Sequence, residues 1–246
     1  MSKNPILASQ PFENLPINLV AEMTIEGTIN KTLMLLALML ITAAWTWSQF
    51  YLTEDVNTVM SYMWIGTIGG FFVALLTIFM RAKWAWFTAP IYALLEGLAI
   101  GGVSVIFESV FPGIVIHAVG LTFGTLFCLL LAYKSGLIVV TEGFIMGVVA
   151  VTGAICLLYL IDIVLISFEL NVPFIHESGW LGIIFSLFVV IVAALNLVID
   201  FEFIRLGAEN GAPKYMEWYS AFALIVTLVW LYLEMLQLLA KIQANK

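Results

Sequence analysis

The fold is decided by residues 180–204, which read WLGIIFSLFVVIVAALNLVIDFEFI. The hydrocarbon core of a bilayer is about 30 Å thick, and about 20 apolar residues in a helix cross it. This stretch therefore predicts a transmembrane helix. Asp200 stands out within it, because a charged side chain at the centre of a membrane helix costs about 2.5 to 3.5 kcal/mol and normally needs a partner, a proton or water.

Six further apolar runs of similar length accompany this one, and the connections between them are short. The sequence therefore predicts an all-α membrane protein with seven transmembrane helices. The predicted spans are Leu33–Phe50, Met60–Met80, Trp86–Phe107, Gly113–Tyr133, Phe144–Phe168, Trp180–Ile204 and Ala221–Ala240.

The composition agrees with a chain whose surface faces lipid. Of 246 residues, 63% are apolar and 10% are charged, and the mean hydropathy is +1.10. A soluble domain has about 25% charged residues. The net charge of −7 is dispersed, and the scattered Lys and Arg residues form no patch that could neutralise phosphates, so nucleic-acid binding is excluded.

Basic residues give the orientation. Lys and Arg occur before the first predicted span and after the second, fourth and sixth, and the loops after the first, third and fifth have none. The positive-inside rule then predicts a cytoplasmic N-terminus and a C-terminus outside, with a re-entrant last segment as the alternative. Residues 1–28 are predicted to lie on the cytoplasmic surface as an interfacial segment, and residues 29–246 form the seven-helix domain.

Polar side chains within the spans fall on particular helix faces. Asn196 and Asp200 are four residues apart and share a face. Ser220, Thr227, Glu234 and Lys241 recur every seven residues along the last span. Such a stripe should face protein or water rather than lipid, so the seventh helix is predicted to be central in the bundle.

Small-residue spacing predicts close helix packing within the chain. The glycine pairs are Gly97 with Gly101, Gly120 with Gly124, and Gly143 with Gly147.

Three intramembrane acids are candidates for an ion pathway: Asp200, Glu234, and Glu96 near the middle of the third span. Two acids sharing one site cannot easily both ionise, so they titrate as a unit and can form a pH-sensitive latch. Carboxylate oxygens are also the ligands that calcium prefers. Asp200 and Glu234 are therefore candidate calcium ligands, although two acids do not distinguish calcium from sodium or protons.

The sequence has none of the motifs that would indicate the enzyme classes considered, and no cofactor is expected. The His-Glu-x-x-His motif of zinc metalloproteases does not occur. The Gly-x-Gly-Asp context of intramembrane aspartyl proteases does not surround Asp162 or Asp200. A retinal-binding lysine would lie midway along the seventh span, whereas Lys241 is at its end.

Five blocks of the chain carry a resemblance to a known family: Met23–Thr32, Tyr92–Gly97, Leu197–Phe201, Gly211–Tyr219 and Leu231–Glu234. They resemble the bacterial branch of the Bax inhibitor-1-like (transmembrane Bax inhibitor motif) family. This resemblance implies a bacterial cytoplasmic membrane protein whose last helix is surrounded by the other six. It also implies a pH-sensitive calcium leak controlled by paired aspartates on the sixth and seventh helices, with an arginine nearby.

By this resemblance Asp200 matches the first aspartate of the pair and Glu234 stands at the second. Arg81 is the best match for the arginine, with Lys83 as a competitor. The second acid is Glu rather than Asp, and the separation of 34 residues is longer than the family's. At 1.5 Å per residue Glu234 would lie ~20 Å along its helix, so an alternative pairing of Glu234 with Glu96 stays open.

The predicted function is a pH-sensitive cation leak, for calcium, formed by a monomer in the bilayer and controlled by Asp200, Glu234, Glu96, Asn196 and Arg81. Two alternatives remain. A proton-coupled transporter would use the same acids as a relay and would typically contain internal repeats. A non-conducting regulator that binds other membrane proteins would have every intramembrane acid paired.

Overall fold

The computed structural model describes residues 21–53, 55–79, 82–166, 168, 175 and 177–245. Within these ranges it contains seven long helices, each apolar and long enough to cross a membrane, and no strand. The helices are α1 (Ile25–Thr53), α2 (Val56–Phe79), α3 (Ala85–Val110), α4 (Ile114–Lys134), α5 (Glu142–Ile166), α6 (Trp180–Glu209) and α7 (Met216–Ala244), with a 3₁₀ turn at Ala82–Trp84 before α3. The predicted fold class and the seven spans are confirmed.

α2 begins before its predicted apolar run because a polar residue caps its first turn. At the start of α2, Asp55 accepts hydrogen bonds from the Thr58 hydroxyl (2.7 Å) and from the Asn57 backbone N–H (3.0 Å). This is an N-cap, which satisfies backbone donors that the first turn leaves free. The same bonds, that from Thr58 foremost, hold the pKa of Asp55 below its usual range.

α7 is the central helix, as predicted. In its most apolar window 67% of the residues are buried, against 44% for α3 and α6 and at most 17% for the other four helices. It packs against α1, α3, α4 and α6. Its 29 residues are unbroken and span ~44 Å, which is long enough for a full crossing and gives no support to the re-entrant alternative.

The two ends of the bundle differ, and we name each by one residue. The Pro213 end contains the α6–α7 loop, the start of α1 and the start of α3. There the segment before α1 pairs with the loop, since Met23 N–H donates to the Ala212 carbonyl and Lys214 N–H to the Ala21 carbonyl, both at 2.7 Å. The Glu108 end contains the α3–α4 loop. The charge pattern predicts that the Pro213 end is cytoplasmic.

The predicted interfacial segment falls mostly outside the described residues, which begin at residue 21. Its last four residues, 25–28, already belong to the first turn of α1.

Glycine packing occurs at one of the three predicted pairs. A Cβ on Gly97 would lie 1.9 Å from the Thr42 hydroxyl oxygen, and one on Gly101 2.7 Å from the Ala43 carbonyl oxygen, so α3 lies directly on α1. The prediction was wrong for the other two pairs. Among the described residues, a Cβ on Gly120, Gly124 or Gly147 would meet nothing within 4 Å, and one on Gly143 only the Thr141 side chain at 4.0 Å.

Candidate functional site

Asp200 lies on α6 against the central helix. It is nine residues before the end of α6 at Glu209, hence ~14 Å from the Pro213 end. Its side chain faces Thr227 of α7, whose hydroxyl donates to its own helix, at the Ala223 carbonyl (3.2 Å). The Oδ2 atom of Asp200 is buried and has no hydrogen-bond partner among the described residues.

Glu234 is almost fully enclosed on α7, with 3% of its surface exposed. Its Oε1 accepts hydrogen bonds from the Tyr159 hydroxyl of α5 (2.9 Å) and from the Trp230 indole N–H (3.1 Å), one helical turn earlier on α7. Its Oε2 is buried and, like Oδ2 of Asp200, has no partner in the described part of the chain. Both acids therefore keep a carboxylate oxygen available.

Asp200 and Glu234 lie at different depths. The residue of α7 that faces Asp200 is Thr227, seven residues before Glu234. Seven residues of helix rise ~10 Å. The direct acid pair that the family resemblance implies is therefore not formed, since Glu234 is directed towards α5 instead.

Glu96 does not pair with Glu234 either. Its Oε2 lies 3.0 Å from the position a Cβ on Gly70 of α2 would occupy, and its hydrogen-bonding neighbour is Tyr92 on its own helix. The Tyr92 ring packs edge-on against Phe222 of α7, with ring centroids 5.0 Å apart. Glu96 thus faces α2, while Glu234 faces α5.

Asn196 connects α6 to α5 rather than binding Asp200. Its side-chain amide donates to the Thr152 hydroxyl (2.8 Å) and to the Val192 carbonyl (2.9 Å). Arg81 lies outside the described residues. Lys83, the competing match, is exposed and lies 5.9 Å from the centroid of the Tyr215 ring.

Three of the four residues of the polar stripe on α7 are buried: Ser220, Glu234 and Lys241 have exposed fractions of 1%, 3% and 8%. The fourth, Thr227, is half-buried and faces Asp200. Lys241 Nζ donates to the Ser186 hydroxyl (2.8 Å) and to the Gly182 carbonyl (3.2 Å), both on α6. Glu234 and Lys241 attract each other across two turns of the helix. Polar groups therefore follow α7 from mid-bundle to the Glu108 end.

A buried ion pair near the Pro213 end was not predicted. Glu217, whose exposed fraction is 0%, forms a salt bridge with Lys31 of α1. Its Oε1 also accepts from the Thr24 N–H (2.9 Å) and hydroxyl (3.0 Å). The one signal in the sequence is that Lys31 and Glu217 both lie in blocks that resemble the family, Met23–Thr32 and Gly211–Tyr219.

A second unpredicted network joins α4 to α6. The Arg205 guanidinium donates to Glu202 (2.7 Å) and to Glu209 (2.6 Å), and the Tyr133 hydroxyl donates to Glu202. Spacings of three and four residues place these charges on one face of α6.

The described residues contain no group of three or more His, Cys, Asp or Glu side chains that could hold a metal ion together. Because Asp200 and Glu234 lie at depths that differ by ~10 Å, the two carboxylates could contact a cation one after the other, but not jointly.

Seven helices long enough to span a membrane, the last of them central and with buried polar side chains, define a multi-pass membrane protein. A sequence profile of the family described as Bax inhibitor 1 like matches residues 4–244. The chain belongs to this Bax inhibitor-1-like family. No curated protein and no solved structure matches it.

Proposed function

We propose that the protein is a pH-sensitive cation leak, permeable to calcium, in which Asp200 and Glu234 act as successive carboxylate contacts along α7. The observation that carries the proposal is the pair of buried oxygens, Asp200 Oδ2 and Glu234 Oε2, that have no hydrogen-bond partner among the described residues. A buried polar atom normally has a partner. An intramembrane acid with a free oxygen is typical of an ion or proton pathway.

The separation of the two acids changes the mechanism that the resemblance implies. A latch closed by one shared proton requires contact, which a rise of ~10 Å between Thr227 and Glu234 prevents. In the proposed mechanism a cation instead passes from one carboxylate to the other, and each acid titrates at its own site. Lys241, two turns beyond Glu234, places a positive charge at the Glu108 end of this path.

The sign of the pH dependence follows from carboxyl chemistry. A protonated carboxyl is neutral and offers a cation little, whereas the ionised form attracts it. Cation flux is therefore expected to rise with pH. Substituting an amide for the acid should lower the flux and remove that acid's part of the dependence.

The free oxygens favour conduction over the non-conducting regulator, which requires every intramembrane acid to be paired. The proposal further treats the chain as a monomer without enzymatic activity in a bacterial cytoplasmic membrane. The distribution of Lys and Arg supports a cytoplasmic Pro213 end.

Calcium uptake into proteoliposomes, followed with an enclosed fluorescent indicator over a pH series, tests the proposal. The wild type is expected to conduct more as pH rises. Asp200→Asn and Glu234→Gln are each expected to lower the flux by about tenfold, which corresponds to the loss of one charge-assisted contact.

The matched control is Glu142→Gln, which removes an exposed acid at the start of α5 and should leave the flux unchanged. Wild-type flux that neither Asp200→Asn nor Glu234→Gln changes would exclude the carboxylate mechanism. A proton gradient that drives uphill calcium uptake would instead indicate the coupled transporter.

A further inference from the structure

A deep groove opens in the side of the bundle between α1 and α4. These two helices make no extended contact in the described residues, and the gap between them is floored by α3 and α7. The groove has a volume of about 490 Å³. Its rims face outwards, since Leu40 of α1 is 50% exposed and Ile116 of α4 is 69% exposed. In a membrane it would therefore open to lipid rather than to water.

The groove is apolar along its length. The polar groups of its floor are already bonded within the protein: the Ser104 and Tyr232 hydroxyls bond each other at 2.7 Å. At the Glu108 end, the Glu108 carboxylate accepts from the Gly113 N–H (2.6 Å) and the Val115 N–H (3.1 Å). An occupant of the groove must therefore be apolar where it contacts the floor.

The groove's length matches one leaflet. On α1 it extends from Leu36 to Trp47, eleven residues or ~16 Å of helix. Half of a hydrocarbon core of about 30 Å is about 15 Å. The groove begins near the middle of α1 and finishes at the Glu108 end, so it covers the hydrocarbon depth of the leaflet on that side.

The charge at the Glu108 end of the groove favours one kind of lipid headgroup. Of the described residues that line the groove, Glu108 alone is charged, and none is Lys or Arg. A carboxylate there attracts an ammonium group and repels an anionic headgroup. Trp47 lies at the same end, where tryptophan commonly contacts the headgroup region.

We propose that the groove binds one acyl chain of a zwitterionic phospholipid with an amino headgroup, from the leaflet at the Glu108 end. The chain would pack on Leu228, Val229 and Tyr232, which α7 contributes to the floor. The lipid would thus contact the central helix two to six residues from Glu234. This inference is independent of ion conduction.

Native mass spectrometry of the full-length protein, with phosphatidylethanolamine or phosphatidylglycerol added in detergent, tests the proposal. Ala44→Phe places a ring in the groove from an exposed lining position. The matched control, Ala154→Phe, adds the same ring to an exposed face of α5 away from the groove. Wild type and Ala154→Phe are expected to retain one phosphatidylethanolamine, and Ala44→Phe about tenfold less.

Equal retention by Ala44→Phe and Ala154→Phe would overturn the site, and equal retention of the two lipids by the wild type would overturn the headgroup assignment. A second readout does not depend on detergent. Phospholipids brominated on the acyl chain should quench Trp47 in the wild type, measured as the difference from Trp47→Phe. That difference should be smaller in the Ala44→Phe background, where only the surrounding lipid reaches Trp47, and an undiminished difference there would contradict the proposal.

Discussion

Two glutamates on α7 are equally hidden from solvent but differ in their partners. Glu217, near the Pro213 end, has an exposed fraction of 0%, and Glu234, seventeen residues further along, has 3%. Both oxygens of Glu217 are bonded, one to Lys31 and the other to Thr24. Glu234 has two neutral donors on one oxygen and no partner among the described residues on the other.

The difference separates a structural acid from a functional one. Burial alone does not identify a site, because a buried charge that is paired and hydrogen-bonded is compatible with a purely structural role. Glu217 ties the start of α1 to the start of α7, and its bonding capacity is used there. Glu234 retains a free oxygen, which a proton or a cation can use. Substitutions around these acids test whether a buried acid with both oxygens bonded is structural and one with a free oxygen is functional.

The largest expected effect is on stability, from removing the cation that pairs with Glu217. Lys31→Met leaves a buried carboxylate without its charge partner, which costs about 3 kcal/mol. For a chain of this size we expect the unfolding midpoint to fall by roughly 6 to 12 °C. Thermal unfolding of the purified protein in detergent measures this shift.

Lys83→Met is the control, because Lys83 is an exposed lysine at the same end that contacts the Tyr215 ring. It should lower the midpoint only slightly. If Lys31→Met left the midpoint at the wild-type value, the ion pair would not stabilise the Pro213 end. Glu217 could then not be called a structural acid in contrast to Glu234.

A pair of glycine substitutions probes how firmly two acids are held. A Cβ on Gly27 would lie 2.2 Å from Glu217 Oε1, and one on Gly70 would lie 3.0 Å from Glu96 Oε2. Glu217 can move only by breaking its bonds, so Gly27→Ala is expected to destabilise by about 2 kcal/mol. Glu96 can move its carboxylate, so Gly70→Ala should be neutral or stabilising by up to about 1 kcal/mol through helix propensity.

The same unfolding measurement compares the two substitutions. Equal destabilisation by Gly27→Ala and Gly70→Ala would mean that Glu96 is held as rigidly as Glu217. Glu96 would then belong with the structural acids.

The sequence predicts the features that are patterns within one helix, but not the contacts between side chains of two helices. Hydropathy predicted the seven spans, and the seven-residue recurrence of polar residues predicted that α7 is central, because both patterns are properties of a single segment. The contact of Glu234 with Tyr159 joins residues 75 positions apart, and that of Glu217 with Lys31 joins residues 186 apart. Such contacts depend on which helices are neighbours, and no single segment contains that information.

The glycine pairs show the same limit. All three have the spacing that permits close packing, but only Gly97 and Gly101 face a neighbouring helix. Spacing describes what a helix face allows, and the arrangement of the bundle decides whether a partner is present.

A smaller loss of stability than for Lys31→Met or Gly27→Ala is expected from Tyr159→Phe, which removes the donor that α5 provides to Glu234. Loss of a hydrogen bond to a carboxyl group costs about 1.5 kcal/mol, and Trp230 remains as the second donor. Tyr232→Phe is the comparison, since it removes another tyrosine hydroxyl that is hydrogen-bonded inside the bundle, to Ser104 (2.7 Å). Because, of these two tyrosines, Tyr159 is the one that contacts the proposed pathway, Tyr159→Phe should also alter the pH dependence of calcium flux in proteoliposomes, whereas Tyr232→Phe should leave it unchanged.

If both variants lost stability and neither changed the pH profile, Glu234 would be a structural acid like Glu217, and the pathway would have to be sought at Asp200 alone.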